Sequence, residues 1–371
     1  MAPTALPVDS HVQNGTSNLK SSKRQPVKPT GALDKFEYVE VTPVIGREYE
    51  KTNIVDDILN APNADDLLQD LALAISQRGV VFFRAQDNLT NTFQKTFIQR
   101  LGLASGKPAS STLHIHPVLN DSREFGVGDN EISTISSAQR KSLMLDKSAA
   151  ASRPTQSRRY DSAQWHSDIQ FENVPADYTS LRLTQLPSTG GDTLWASGYE
   201  IYDRFSPTYQ RFLDGLSATF IGDGFHRASE RGGFSLYDKE RGSPENVGTE
   251  LSAVHPVVRT NPVSGWKSIY SIGGFPKYIN ELNKEESDDL LKKFLDMIYQ
   301  NHDLQVRFKW RNENDIAIWD NRSVFHSATF DYEGLGERFG NRAVGIGERP
   351  YFDPESKSRA EALREAGEGV A

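Results

Sequence analysis

Trp165-His166-Ser167-Asp168 sets an imidazole and a carboxylate two residues apart. On a β-strand residues i and i+2 point to the same face, so His166 and Asp168 can converge on one ion. The same spacing also suits a hydrogen-bonded pair at a strand edge, and a lone His-x-Asp does not decide between them. A third residue shifts the balance. His326 closes the stretch Ile316-Ala317-Ile318-Trp319-Asp320-Asn321-Arg322-Ser323-Val324-Phe325-His326, which reads as a strand and a turn. Two histidines and one carboxylate on one face of a metal, with the other positions open to co-substrates, form the ligand set of non-haem Fe(II) oxygenases. The same triad on zinc would serve hydrolysis, because affinity alone does not select iron over zinc.

Arg338 and Arg342 follow the third candidate ligand and stand four residues apart. A dicarboxylate such as 2-oxoglutarate needs a cation for its distal carboxylate while its 2-oxo acid end chelates iron, and a planar guanidinium suits that role. On a strand the even spacing faces both side chains one way; two ordinary surface charges would read the same. His114 and His116, in Leu113-His114-Ile115-His116-Pro117, also share a strand face, and an anion-binding or metal role stands level with a structural one. Of the other histidines, His11 lies in a polar tail and His302 past a helix end, while His226 and His255 have no partner at metal spacing and read as structural.

Four features in order resemble the TauD/TfdA family, the taurine and related Fe(II)/2-oxoglutarate-dependent dioxygenases. They are His166-Ser167-Asp168, the segment Leu186-Pro187-Ser188-Thr189-Gly190-Gly191-Asp192-Thr193-Leu194-Trp195-Ala196-Ser197-Gly198, Trp319-Asp320-Asn321-Arg322 with His326, and Arg338-x-x-x-Arg342. The resemblance runs from about Phe36 to Tyr351 and is similar to a fungal-type sulfonate dioxygenase-like member. It implies an α+β, mainly β fold: a double-stranded β-helix, or jelly roll, with flanking helices. It implies Fe(II), 2-oxoglutarate and O2 as cofactor and co-substrates, with His166, Asp168 and His326 as iron ligands. Thr193 and Arg338 match the positions that hold the distal carboxylate of 2-oxoglutarate, and Arg342 with His116 those that grip an anionic substrate. The taurine enzyme pattern has an aromatic hydroxyl and an asparagine where this chain has Leu119 and Ser162. The resemblance therefore implies the anion pocket without the amine pocket. The implied reaction oxidises a C–H bond of a small anion, an alkyl sulfonate or a carboxylate, and releases succinate and CO2. Desaturation or oxidative ring closure would use the same chemistry. Halogenation is disfavoured because Asp168 fills the position that halide takes in halogenating relatives. A catalytically silent jelly-roll binding protein would have no need of His166, Asp168, His326 and Arg338 together.

These residues need a frame. Leu67, Leu68, Leu71 and Ile75 recur at helical spacing after Pro62-Asn63 and stop at Gly79, which predicts a helix followed at once by a strand over 80–84. Phe93, Phe97, Ile98 and Leu101 predict a second helix ending at Gly102, and Leu290, Leu291, Phe294, Leu295 and Ile298 a third over 283–299. Elsewhere alternation dominates, as in Val306, Phe308 and Trp310, then Ile316 and Ile318 after the turn-forming Asn312-Glu313-Asn314-Asp315. Residues 1–35 lack apolar periodicity and read as a disordered tail, 36–352 as the catalytic domain, and 353–371 as a frayed helix or tail. The stretch 121–162 has few large apolar residues and reads as a lid insertion before the His-x-Asp pair.

Composition removes other classes. The chain has 371 residues, 42 Lys plus Arg against 50 Asp plus Glu, and a net charge of −8, which argues against a nucleic-acid partner. Its longest apolar runs, such as Gly79-Val80-Val81-Phe82-Phe83, fall far short of the ~20 residues that cross a bilayer. Zero cysteines exclude disulfides, thiolate metal sites and Cys nucleophiles together. No basic and apolar leader opens the sequence, so a cytoplasmic location is the expectation. The partner expected is a small anionic molecule, and pairing into a homo-oligomer stays open.

Overall fold

The computed structural model describes residues 24–120, 127–137, 165–367 and 369. The chain enters through β1 (Val39–Glu40) and β2 (Arg47–Tyr49), then α1 (Ala64–Arg78) and β3 (Val80–Phe83). Gly79 joins α1 to β3 at φ 75, a left-handed angle that glycine adopts at no steric cost. Helix α2 (Asn91–Ala104) starts at the Thr90 cap and runs through Gly102 to Ser105, past the end its sequence predicts. A glycine inside a helix costs only about 1 kcal/mol, and packing of Phe97, Ile98 and Leu101 overrides it.

Strands follow: β4 (Ser133–Ser136), β5 (Ala176–Gln185) and β6 (Thr193–Ser197), then helices α3 (Gly198–Asp203) and α4 (Pro207–Leu213). Next come β7 (Ser217–Ile221), α5 (Asp223–Gly232), β8 (Ser252–Pro256), β9 (Val258–Thr260), β10 (Lys267–Ile269) and β11 (Pro276–Ile279). Helix α6 (Lys284–Gln300), closed by an Asn283/Glu286 capping box, precedes β12 (Gln305–Phe308), β13 (Ile316–Asp320), β14 (Val324–Ala328), β15 (Phe339–Ile346) and α7 (Arg359–Glu365).

Seven strands form one sheet in the order β1-β2-β3-β13-β5-β15-β4, antiparallel except for β2 beside β3. Facing it is a three-stranded antiparallel sheet, β12-β6-β14. Phe82 stacks on Phe308 with ring centres 4.0 Å apart, and Trp195 meets Trp319 at 5.7 Å, so these rings fill the space between the sheets. The alternation of β-strand side chains accounts for both faces of the large sheet. Val80, Phe82, Ala317 and Trp319 point to the small sheet, whereas Val81, Phe83, Ile316 and Ile318 pack under α1 and α2. This is why 80–83 is an uninterrupted apolar run: both faces are buried. A second pair of small sheets, β11-β7-β8 and β10-β9, packs with α3, α4 and α6 around Phe220, Tyr270, Leu290 and Phe294.

Three predicted boundaries need correction. Residues 24–35 lie on the domain rather than in a free tail: Val27 N donates to Val263 O at 2.9 Å, and Thr30 and Leu33 bind the Asp70 carboxylate. Composition misses this because two anchors, Asp70 and Leu33, do the holding. The C-terminal segment likewise docks, through a Ser358/Glu361 capping box and a buried Arg359–Glu200 ion pair at 2.7 Å. Within 121–162, residues 127–137 carry β4, which pairs with β15, so this part of the predicted lid is a sheet edge. The remainder of that segment lies outside the described residues, as does most of the N-terminal tail. No helix among the described residues is long and apolar enough to cross a membrane.

Candidate active site

His166 and His326 meet across an isolated antiparallel bridge, with His166 N donating to His326 O at 3.1 Å and the reverse bond at 2.8 Å. His326 is in the middle of β14, which is fixed beside β6 by register. Asp168 is not on a strand: after the bridge the chain turns, and the turn brings its Oδ1 to 3.9 Å from the Nε2 of each histidine. The i, i+2 strand expectation is thus corrected to a bridge followed by a turn, with the same convergence. Among the described residues these three are the group whose ligand atoms all lie within 4.8 Å of one another.

Asp168 and His326 have the protonation states a metal requires. Burial works to raise the Asp168 pKa, but Arg342, His326 and His166 outweigh it and draw it to about 2. Burial, then His166, lowers His326 to about 3, so its imidazole is neutral. Metal ligation needs an ionised carboxylate and neutral imidazoles. Asp168 Oδ2 is buried without a hydrogen-bond partner, a vacancy in bonding that a cation between the ligands would answer. The nitrogen and oxygen donor set, without thiolate, fits Fe(II).

Close backbone contact fixes the segment that carries His166. Gly273 has φ 103, and a Cβ there would stand 2.0 Å from the Trp165 carbonyl oxygen, so only glycine lets the two chains meet. The Phe275 ring beyond it lies 6.2 Å from that of His166.

Arg338 sits just before β15 and is buried. Its Nε donates to the Gly191 carbonyl at 2.9 Å and its Nη2 to Thr193 Oγ1 at 3.4 Å; neither partner is charged. Burial pulls its pKa from 12.5 to about 10. Thr193 also accepts from Trp310 Nε1 at 3.2 Å. The Gly190-Gly191 pair is explained here, since a Cβ on Gly191 would lie 2.9 Å from Arg338 Cδ. A buried cation whose hydrogen-bond partners are both neutral, with the Asp192 carboxylate acting on it only through space, can still take an anion from outside.

Arg342 is on β15, and its Nη1 donates to Asp168 Oδ1 at 2.8 Å while its Nε is buried without a partner. The two arginines, expected on one strand face, therefore serve different neighbours, because β15 starts after Arg338 and bulges at Phe339/Gly340. His116 Nδ1 accepts from Val118 N at 3.0 Å and Leu119 N at 2.9 Å, which places the ring proton on Nε2. Burial, then Arg342 and His114, holds its pKa well below the usual value. His114 is not on a regular strand with it. Its Nε2 lies 3.2 Å from Glu172, which pairs with Arg241 through both oxygens. Spacing left a structural and an anion-binding role level for both histidines; the structure gives His114 a carboxylate partner and leaves His116 with a donor. Phe225 lies 5.0 Å from the His116 ring, and Phe225 is 6.2 Å from Phe275, so aromatic rings connect His116 to His166. Sequence reasoning missed Glu172, Arg241, Phe225, Phe275 and Gly273. Glu172 is four residues past Asp168 and could have been questioned, but Arg241 stands 69 residues from it with no local pattern. Leu119 packs at the edge of the apolar cluster around Phe171, and Ser162 lies outside the described residues.

His255 is structural, as expected: its Nε2 lies 3.0 Å from the carbonyls of both Gln170 and Glu172, and burial lowers its pKa to about 3. With folded values near 3 for His255 and His326 against about 6.5 unfolded, the unfolded state binds more protons between those limits. Stability of the metal-free protein should fall as pH drops from about 6.5 toward 4, by up to about 1.4 kcal/mol per pH unit for each histidine. Urea unfolding at several pH values checks this, and His255→Gln should flatten the slope.

A two-histidine, one-carboxylate triad with Asp168 and His326 buried, beside a cation with neutral hydrogen-bond partners, defines the class of non-haem iron oxygenases. The taurine catabolism dioxygenase TauD, TfdA family profile matches residues 37–344. An alpha-ketoglutarate-dependent dioxygenase, btcD, of Neocamarosporium betae is 49% identical over 346 residues, covering 91% of this chain and 98% of that protein. An alpha-ketoglutarate-dependent sulfonate dioxygenase of Saccharomyces cerevisiae is 30% identical, covering 85% of this chain and 68% of that one. A taurine dioxygenase crystal structure from Burkholderia xenovorans shares the fold, with TM-score 0.61 at 23% identity over 86% of this chain and 92% of that chain. The chain belongs to the TauD/TfdA family. It is a 2-oxoglutarate-dependent dioxygenase, an oxidoreductase whose chemistry uses Fe(II), 2-oxoglutarate and O2.

Proposed function

We propose that this enzyme oxidises a C–H bond of a small organic anion, a sulfonate or a carboxylate, inside a jelly-roll core closed by the two facing sheets. The observation that carries this reading is the pair of buried arginines, Arg342 bonded to Asp168 of the triad and Arg338 with its guanidinium bonded, among the described residues, only to the neutral Gly191 and Thr193. His166, Asp168 and His326 hold the iron. When bound, Fe(II) with 2-oxoglutarate and O2 supplies oxidative decarboxylation to succinate and CO2, coupled to oxidation of the substrate. Arg338 and Thr193 fix the distal carboxylate of 2-oxoglutarate. His116 donates from Nε2 to the substrate's anionic group, and Arg342 contributes charge to the same group while keeping Asp168 ionised. Phe225 and Phe275 exclude water between them. Kinship with a sulfonate dioxygenase supports an anionic substrate. Hydroxylation is the simplest outcome, and desaturation or ring closure would begin with the same hydrogen removal.

Succinate release, measured across alkyl sulfonates, amino acids and other small carboxylates, tests the reading: one class should stimulate it, with sulfite appearing if sulfonates are the substrates. Substrate turnover without 2-oxoglutarate would contradict it. Arg342→Ala should raise KM for that substrate ~10- to 150-fold, the effect of about 1.5–3 kcal/mol from a charged hydrogen bond, with a smaller change in KM for 2-oxoglutarate. Equal rises in both constants would remove the assignment of Arg342 to substrate.

A further inference from the structure

The turn that carries Asp168 is strained. Ile169, the next residue, has φ 49, a left-handed angle at which a β-branched side chain is a steric outlier. Such conformations cost energy and persist only where their surroundings hold them. Ile169 is itself buried in the apolar cluster with Phe171 and Val174, so its side chain is seated while its backbone is bent.

The polar restraint comes from Asn321, a residue of the Trp319-Asp320-Asn321-Arg322 motif. Its Oδ1 accepts from Asp168 N at 3.1 Å and from Trp319 Nε1 at 3.0 Å. Its Nδ2 donates to the Asp177 carbonyl at 3.1 Å and to Thr179 Oγ1 at 2.8 Å, both on β5. Indole N–H and backbone N–H only donate, and a carbonyl only accepts, so the amide has one orientation that satisfies all four contacts. Its main chain adds two more: Asn321 O accepts from Ser167 Oγ at 2.6 Å, and Asn321 N donates to Asp177 O at 2.8 Å. Trp319, which orients Asn321, also packs its ring 4.8 Å from that of His326. One side chain thereby ties the backbone of the carboxylate ligand to the sheet and, through Trp319, to the second histidine.

We propose that Asn321 is the positioning residue of the metal centre, holding the strained 167–169 turn so that Asp168 already faces His166 and His326 before metal arrives. The proposal rests on the metal-site reading above. Partners that orient metal ligands typically change metal affinity ~10- to 100-fold when removed. Asn321→Ala should therefore weaken Mn(II) binding, titrated by electron paramagnetic resonance, by about tenfold or more. The comparator is Leu290→Ala, which empties a site on α6 in the other core cluster and should lower thermal stability while leaving Mn(II) affinity unchanged. If Asn321→Ala does not fold, Ser167→Ala removes the 2.6 Å tie to Asn321 O with minimal change of shape and should weaken Mn(II) binding several-fold. Wild-type Mn(II) affinity in Asn321→Ala, or in Ser167→Ala where the first does not fold, would overturn the proposal. Failure of the wild-type protein itself to bind Mn(II) would instead overturn the metal-site reading, and the proposal with it.

Discussion

His166→Ala and Asp168→Ala are each expected to abolish substrate-dependent succinate release and to remove Mn(II) binding. The two variants should differ in stability. Asp168 Oδ1 is the ion-pair partner of the buried Arg342 at 2.8 Å, so Asp168→Ala leaves a buried cation uncompensated. Removing one member of a buried pair typically costs about 3–5 kcal/mol. His166 is about one-third exposed on its side chain, so its removal strips no fully buried charge of its partner and His166→Ala should unfold much closer to wild type. Denaturant titration beside the metal titration separates the effects. Substantial activity in His166→Ala would remove the ligand assignment.

Arg338→Ala should chiefly destroy 2-oxoglutarate binding. The guanidinium is buried, and its hydrogen-bond partners among the described residues, Gly191 O and Thr193 Oγ1, are neutral. Truncating one member of a buried charge pair costs about 2–5 kcal/mol, which predicts KM for 2-oxoglutarate rising ~30-fold or more. Arg338→Lys should recover only part of this, because an ammonium cannot reproduce the planar fork that a carboxylate matches. Metal affinity should stay at the wild-type level in both variants. Loss of Mn(II) binding in Arg338→Lys would place this residue in the metal centre instead.

The parts of the fold that were legible in sequence are those with long, uniform patterns. Helices α1 and α6 follow their apolar spacing, and Gly79 ends the first as expected. Strand β12 follows alternation, whereas β3 and β13, buried on both faces, show as apolar runs. Residue types and order also exposed the triad. Geometry was less legible, since the local pattern could not show that Asp168 leaves the bridge on a turn with Ile169 at φ 49. The edges failed for a related reason: residues 24–35 and 357–365 are held by a few long-range polar contacts, to Asp70 and Glu200, that no periodicity encodes. Spacing alone did not separate His116 from His114, which only the family resemblance did, because the contacts that distinguish them are remote: the Glu172–Arg241 pair beside one and Phe225 beside the other.

The proposed site takes metal on His166, Asp168 and His326 and 2-oxoglutarate on Arg338. Anaerobic titration of 2-oxoglutarate into Fe(II)-loaded protein, followed by the visible metal-to-ligand charge-transfer band, tests it most directly. A saturable band is expected that needs both Fe(II) and 2-oxoglutarate, is lost in His166→Ala, and moves to much higher 2-oxoglutarate concentration in Arg338→Ala. A protein that develops no band and binds no 2-oxoglutarate when loaded with Fe(II), or a band that survives His166→Ala unchanged, would contradict it.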